Sequence, residues 1–506
     1  MLNKVILKTM KKFKFFVFVA ALMMSAACSK DIGDVGEAIS PTEPTIEQKP
    51  EISFSPEEMG YLTELANGTP KISVDSAAKV ALQVMGNSLS KRSLSVTAFG
   101  TPKAGSLSKS FFDSDIDTTI FVFNSPGGNG FAVISADARI PQQVLAYSET
   151  GNLELDSENP ASDVFLSYAT DYAAECIAKA QEQRDSIEAA IMEKLGIEID
   201  LDTVGTLSKT KHVIQKFLIT SMCYTDISVE TLAEVKPLIT TNWTQHAPYN
   251  DSVGGRDKCF GGYLAGCVAV ATSQLMVFWR YPKIINGIAI DWDMLSNDDN
   301  VGNPIYNQHA AILTSFVGTK INTKYGCDRS SASTSDVLWF LLANGYKVYD
   351  GLVSYKYDKV IKCLDEGWPV LMEGKRTKEK KWFYSNYLNG HEWIADGFVH
   401  QKVHQRDRLT YAIVEIDDET GRGSCRYEYS GGYQVSESKY LHLNWGWGEA
   451  SNGYYCQDVF HVKDRYVLRY DGVYVRSSVD DDRNFQYKLK MVDGIHREQR
   501  PLTPTF

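Results

Sequence analysis

A second long apolar run is missing from this chain of 506 residues. The one that exists, Phe13 to Ala27, lies near the start, so no membrane span of about 18 or more apolar residues is expected further on. Cysteine is sparse. Nine in the whole chain are too few for a disulfide scaffold, and an odd count leaves at least one thiol unpaired. None of the seven besides Cys28 and Cys267 sits in CxxC spacing, so they read as buried small hydrophobes and not as metal ligands. A basic surplus is also lacking: 52 Lys+Arg stand against 63 Asp+Glu, a formal charge of −11. A protein that neutralises phosphates needs the opposite balance, and no nucleic-acid partner is expected. Internal repeats and low-complexity tracts are absent as well. What is present, 43% hydrophobic and 23% charged residues, is the composition of a globular protein long enough for about three domain-sized units.

The N-terminal run is preceded by Lys11, Lys12 and Lys14 and followed by Ser25-Ala26-Ala27-Cys28. A basic region, a short apolar region and a small-residue cleavage site predict a secretory signal over 1–28, and a start at Met10 makes it more compact. Small residues ending at Cys28 resemble a bacterial lipobox, although Ser25 stands where Leu is usual. Cys28 is therefore expected to carry lipid and to anchor an exported protein to the bacterial outer membrane or cell surface.

Residues 29–60 hold Pro41, Pro44, Pro50 and Pro56 among acids and hydroxyl residues, which predicts a disordered tether. Ser73 can cap a helix with Val74, Ala77, Ala78, Ala81 and Val84 on its apolar face. Phe121–Phe123 and Phe131–Ile134 flank Ser125-Pro126-Gly127-Gly128-Asn129-Gly130, a hairpin pattern, and Val144–Tyr147 reads as a further strand. Residues 161–195 read as one long helix, and 200–212 as an exposed connection open to proteolysis. Thus 61–235 forms a small α+β unit and 236–506 a larger one. In the larger unit, Cys267 to Trp279 predicts a buried helix with Cys267 in its first turn, stopped before Pro282. Strands at 411–416, 426–429 and 440–444 follow, so helix first and antiparallel sheet second predicts an α+β domain.

A cysteine at a helix N-terminus gains from the free N–H groups there, which favour thiolate over thiol. A nucleophilic thiol needs a base, and the base needs an orienting group. Gly390-His391 opens an aromatic, strand-like run, and histidine takes and returns protons near neutrality. In His442-Leu443-Asn444-Trp445-Gly446-Trp447-Gly448, Asn444 is placed to accept from the imidazole N–H and Trp445 to keep water off that bond. Gln245 has amide donors that, with the Cys267 N–H, suit a developing oxyanion.

Together these are the parts of a papain-type hydrolase, and the sequence resembles the streptopain family of bacterial cysteine peptidases. The likeness rests on Asn242-Trp243-Thr244-Gln245 with Ala247-Pro248-Tyr249-Asn250, and on Gly266-Cys267-Val268-Ala269 with Gln274-Leu275-Met276 and Tyr281-Pro282. It continues through Gly390-His391 to Asp396-Gly397 and from Asn444-Trp445-Gly446-Trp447-Gly448 to Ser451-Asn452-Gly453-Tyr454. Gly130 to Asp137 looks like the family's propeptide.

The resemblance implies a papain-like α+β fold made as a zymogen, with 61–235 as an inhibitory propeptide ending in a cleavable linker and 236–506 as the peptidase. It implies Cys267 as nucleophile, His391 as base and acid, Asn444 as orienting group, Gln245 in the oxyanion hole and Trp445 as shield. No cofactor or metal is implied. The expected partners are protein and peptide substrates, the chain's own propeptide and a membrane through Cys28; a monomer is expected. An apolar substrate residue two positions before the cut is a family preference. The chain departs from the family at Glu392 and Trp393, where small or other apolar residues are usual, and at Glu449. The tail 461–506 matches nothing in the pattern.

Two other functions remain open on these residues: a transglutaminase-type acyltransferase, against which Asn444-Trp445 speaks, and a binding or inhibitory lipoprotein with a silent peptidase fold. A zinc-peptidase motif would need histidine where Ala395 stands. His400 and His404 read as part of a solvated turn.

Overall fold

The computed structural model describes residues 52–86, 94–102, 116–153, 160–194, 213–381, 384–417, 423–461, 466–469, 472–476 and 489–497. The expected signal, Cys28 and most of the tether lie outside these residues, as does the connection 200–212.

The chain divides into two compact units. One comprises Met1–Lys71, Glu182–Glu230 and Lys402–Glu437. Its helix Pro56–Asn67 starts inside the stretch expected to be tether, because Ser55 and Glu58 form a reciprocal capping box and Pro56 occupies the first helical position. This helix meets Arg184–Lys194 through Arg184–Glu64 at 2.9 Å and Lys194–Glu58 at 2.6 Å, with the Arg184 guanidinium over the Tyr61 ring. The helix expected over 161–195 is two, Pro160–Glu182 and Arg184–Lys194, broken at Gln183. The strand Ile52–Ser53 pairs in parallel with Gly432 and Tyr433.

The other unit comprises Ile72–Gln181, Thr231–Gln401 and Ser438–Phe506. Its main sheet runs in the spatial order Ser95–Pro102, Ile116–Asn124, Phe131–Ser135, Val144–Ser148, Gly453–Cys456, the 438–444 part of Gly423–Asn444, the 384–401 part of Tyr384–Asp417, Val370–Lys381, Lys490–Asp493, Gly351–Ser354. The expected hairpin is present, with Ile120 opposite Ser135 and Asn124 opposite Phe131. Side chains alternate across it. Phe121, Phe123, Ala132 and Ile134 pack under the helix Val74–Val84, which Ser73 caps. Ile120, Val122, Phe131 and Val133 face the core that holds Phe165, Ala169 and Ala173 of Pro160–Glu182.

The helix Cys267–Trp279 is buried on nearly every side and shares a core with Pro304–Lys320 and Thr334–Ala343. An apolar sequence without a polar face suits such a position. Leu371 and Ile394 face this core, whereas Met372, Trp393 and Ala395 face the other. The period of two thus gives each face of the sheet its own packing partner.

Two other expectations are corrected, and the tail gains a place in the sheet. Cys259 and Cys327 form a disulfide with Cα atoms 5.7 Å apart, while Cys176, Cys267, Cys363 and Cys456 are free. His400 and His404 lie within the strand Tyr384–Asp417, not in a turn. The tail supplies Lys490–Asp493, an inner strand pairing with Met372 and Glu373 on one side and with Gly351–Ser354 on the other.

Candidate active site

Cys267 is the first residue of its helix, and the backbone before it turns sharply: Gly266 has φ 91°. A Cβ there would lie 3.2 Å from Ser330 Cβ in a conformation L-residues avoid, so glycine is needed. The turn is tied from two sides. Ala265 N donates to Gln245 O at 2.9 Å, which holds Gln245, itself buried, beside the cysteine loop. Leu264 N donates to Gly326 O at 3.1 Å and Ser330 Oγ donates to Leu264 O at 2.6 Å. The disulfide between Cys259 and Cys327 joins these same two loops.

The backbone N–H groups of Glu392, Val268 and Cys267 favour thiolate. Burial outweighs them and pushes the thiol up to about 11, and the Glu392 carboxyl adds to the rise.

His391 sits in Tyr384–Asp417 opposite Gly374. It is 3% exposed. Its Nε2 lies 2.9 Å from Trp445 O; a carbonyl only accepts, so Nε2 carries the proton and Nδ1 keeps the lone pair. Nδ1 has no hydrogen-bond partner among the described residues. The ring lies nearly parallel to Trp393 at 6.2 Å and to Trp445 at 5.9 Å. Burial lowers the imidazole to about 4, with the Trp445 carbonyl pulling the other way. Both members of the expected pair are thus neutral near pH 7, and His391 bonds to Trp445 O and not to the thiol.

Asn444 differs from its expected place. Its Nδ2 donates to Thr241 O at 2.8 Å, and its Oδ1 accepts from Gln274 Nε2 at 3.2 Å and Gly446 N at 3.1 Å. The group that holds the imidazole here is the carbonyl of the next residue, Trp445. Around Asn444 runs an amide network that the sequence reading did not assign. Gln274 Oε1 accepts from Thr241 Oγ1 and Trp243 N. Asn452 Oδ1 accepts from Trp445 N at 2.9 Å, and its Nδ2 donates to Asn242 Oδ1 and Gly448 O. Gln274 and Asn452 lie within the family-like motifs, but a side chain's distant partner leaves no mark in local sequence. Trp445 is fully buried, where its ring can exclude water from His391.

Asn444→Ala would leave Gln274 Nε2 and the Thr241 carbonyl unpaired in the interior. Each such group costs about 1–3 kcal/mol, so a fall in thermal unfolding temperature is expected along with a lower kcat. Unchanged stability in Asn444→Ala would contradict this network role.

The stretch 238–239 is fastened beside the site. Leu238 N donates to Asp396 O at 2.9 Å and Ile239 N to Asp396 Oδ2 at 3.0 Å, while Asp396 Oδ1 lies 2.7 Å from His442 Nδ1. On the other flank, Tyr147 stacks on Tyr454 at 5.3 Å and Phe165 meets Tyr455 edge-on at 4.6 Å. Ser451 N donates to Asn152 O at 2.8 Å, and Ser162 Oγ lies 3.0 Å from Ser451 Oγ. Tyr147 opposes Tyr454 across a strand pair, so the N-terminal sheet continues the C-terminal one.

Residues 243–455, which carry this geometry, match the model of the Peptidase C10 family. Residues 69–173, which form the N-terminal sheet and much of its helical cover, match that of the Spi protease inhibitor. A peptidase and an inhibitor-like segment in one chain make this a cysteine peptidase zymogen. The chain is 21% identical over 388 residues to streptopain of Streptococcus pyogenes serotype M1, covering 68% of this chain and 75% of that protein. It is 23% identical over 367 residues to another streptopain of Streptococcus pyogenes, with the same coverage. The chain is thus similar to the streptopain family of cysteine peptidases over residues 243–455, with an inhibitor-like segment before them. Among solved structures it is similar to a prointerpain A fragment of Prevotella intermedia, at 20% identity and TM-score 0.42 over 75% of this chain and 96% of that one. It is also similar to the active interpain A cysteine protease of Prevotella intermedia, at 20% identity and TM-score 0.32 over 53% and 96%.

Proposed function

We propose that the chain is an exported cysteine endopeptidase whose reaction is carried by Cys267 and His391 once the propeptide has left. The observation that carries this reading is the place of Cys267, first residue of a buried helix and itself 8% exposed, where backbone N–H groups favour thiolate and burial opposes it. A site built for thiolate yet held neutral suits a zymogen. Loss of cover removes the desolvation that opposes charge on both groups. The thiol proton then passes to His391 Nδ1, the nitrogen with a free lone pair, while Nε2 stays on Trp445 O.

In the reaction, Sγ attacks a peptide carbonyl carbon. The oxyanion forms beside the Cys267 N–H and the Gln245 side chain, and His391 returns its proton to the leaving amine. Water, losing a proton to His391, then releases the acid and regenerates the thiol. Trp445 supports His391 through its carbonyl and keeps water from that bond; Asn444 acts by fixing the loop that presents this carbonyl.

The activating cut falls before Leu238, since Leu238 and Ile239 are bound to Asp396. The connection 200–212 remains the proposed place. The contacts of Tyr147, Phe165 and Ser162 with Tyr454, Tyr455 and Ser451 belong to the propeptide seam. They hold the inhibitor in place after the linker is cut, until it is itself digested.

The test is degradation of casein by the full chain after linker cleavage with a trace of trypsin, the trypsin then being blocked. Thiol-dependent fragments from the native chain and none from Cys267→Ala are expected. No casein cleavage by either would favour the silent binding fold. Export and lipidation complete the reading: radiolabelled palmitate is expected to enter the chain in bacteria and to be lost in Cys28→Ser. Label retained in that variant would place the lipid elsewhere.

A further inference from the structure

Beside the nucleophile lies a cluster that the reaction above does not use. Glu392 follows His391 and stands opposite Glu373 on the neighbouring strand. The hydroxyl of Thr334, first residue of the helix Thr334–Ala343, lies 2.6 Å from Glu392 Oε2 and 2.7 Å from Glu373 Oε2. One hydroxyl donates one hydrogen, so the second contact requires a proton on a carboxyl. Glu373 has a cation near it, Lys490 Nζ at 3.6 Å. Glu392 is 1% exposed, and its Oε1 has no hydrogen-bond partner among the described residues. Burial raises its carboxyl to about 8, against the Thr334 hydrogen bond and with help from Glu373. The proton therefore sits on Glu392 near neutrality.

The same residue touches the chemistry. Its backbone N–H favours the Cys267 thiolate, and its carboxyl opposes it through space. A peptide held with its carbonyl at Sγ brings a flanking side chain towards this carboxyl, because successive residues are only about 3.8 Å apart. Cys267 is itself only 8% exposed in this form, although substrate must reach it.

We propose that Glu392, backed by Glu373 through Thr334, is a specificity determinant that takes the cationic side chain of a Lys or Arg residue flanking the scissile bond. The proposal rests on the peptidase reading. It departs from the apolar preference that the family resemblance implies. An arriving ammonium or guanidinium pairs with Oε1, and the Glu392 proton leaves to solvent. One cation is gained and one proton lost, so the buried charge stays balanced. An apolar side chain leaves Oε1 without a partner.

Proton release sets the sign of a pH effect. Preference for a basic residue rises with pH while Glu392 is protonated and levels above about 8. The titratable groups around Glu392 are Glu373 and Lys490 on the adjoining strands, Cys267 on the facing helix and His391 beside it in sequence. Comparing two substrates within one enzyme cancels the titration of Cys267 and His391, which both substrates share.

The test uses the linker-cut full chain and a peptide series in which Lys, Arg, norleucine or Glu occupies each position flanking the scissile bond. At one position, kcat/KM for Lys or Arg is expected to exceed that for norleucine by at least about 10-fold at pH 8, the scale of a charge-assisted hydrogen bond. The ratio is expected to be smaller at pH 6. In Glu392→Gln the ratio falls to near one, and in Glu373→Gln it falls less. The pH series on the native enzyme decides the matter even if a variant does not fold. Ratios near one, or a norleucine preference, at every position and pH would overturn the proposal. Failure to cleave any peptide would instead count against the peptidase reading beneath it.

Discussion

In the uncut chain, iodoacetamide at pH 7 is expected to leave Cys267 almost untouched, and to alkylate it about 10^3-fold faster or more once the propeptide has gone. Burial holds the thiol up at about 11, and the thiolate is the species that reacts. Four pH units below that value, only about one molecule in 10^4 carries it. A raised pKa also fixes the slope: the rate in the uncut chain climbs about tenfold per pH unit from 7 towards 10 and flattens near 11. In the freed enzyme, the N–H groups of Glu392, Val268 and Cys267 act without the opposing desolvation, and a paired thiolate falls to a pKa of about 4–7. A thiolate of lower pKa is a weaker nucleophile, which removes part of the gain. The readout is the mass of the peptide that contains Cys267, because Cys176, Cys363 and Cys456 are also free. Equal alkylation rates before and after propeptide removal would contradict the neutral resting state.

The second large effect is on turnover. Cys267→Ala is expected to lower casein cleavage by the activated chain at least about 10^4-fold, since a nucleophile and its base act as one unit and removing either forfeits most of the catalysis. Stability should change little, by about 1 kcal/mol, because a small side chain is traded for a slightly smaller one at a helix start. Circular dichroism and thermal unfolding separate the two cases. An inactive variant with a native melting curve supports the chemical role, whereas retained cleavage would move the nucleophile to another residue.

Much of this arrangement is legible in the sequence because it is local. The Cys267 helix announces itself by an apolar run that follows a glycine and stops before Pro282. The hairpin at 121–134 is marked by its Gly-rich turn. The break at Gln183 is not legible, since neither glycine nor proline stands there and the apolar pattern continues. Ser55 and Glu58 do carry a capping signature, but the prolines around them made the stretch read as tether. Pairings across long separations are the other gap. Cys259 and Cys327 lie 68 residues apart, and Glu392 meets Thr334 across 58. The departure at Glu392 is visible in sequence, whereas the hydroxyl and second carboxyl that give it meaning are not.

Asn444 shows how an analogy of parts goes astray within one residue. The motif places an amide and a carbonyl next to each other on the same turn, and only the fold decides which reaches the imidazole. Here Trp445 O does so, while the Asn444 side chain is taken by Thr241, Gln274 and Gly446. The disulfide and the Gly266 turn play the matching part on the cysteine side. Cys267 and the carbonyl that holds His391 are therefore both positioned by loops that their neighbours pin down.

The central claim, a zymogen whose own Cys267 cleaves peptide bonds, is tested most directly by following the intact mass of residues 31–506 under reducing conditions, with Cys267 present and with Cys267→Ala. The expected result is that the native chain, alone or after a trace of already active enzyme is added, loses a fragment of about 200 residues and then digests casein. The Cys267→Ala chain is cut only when active enzyme is added and never digests casein. A native chain that stays inert after its propeptide has been cut away, or a Cys267→Ala chain that works as well, would contradict it.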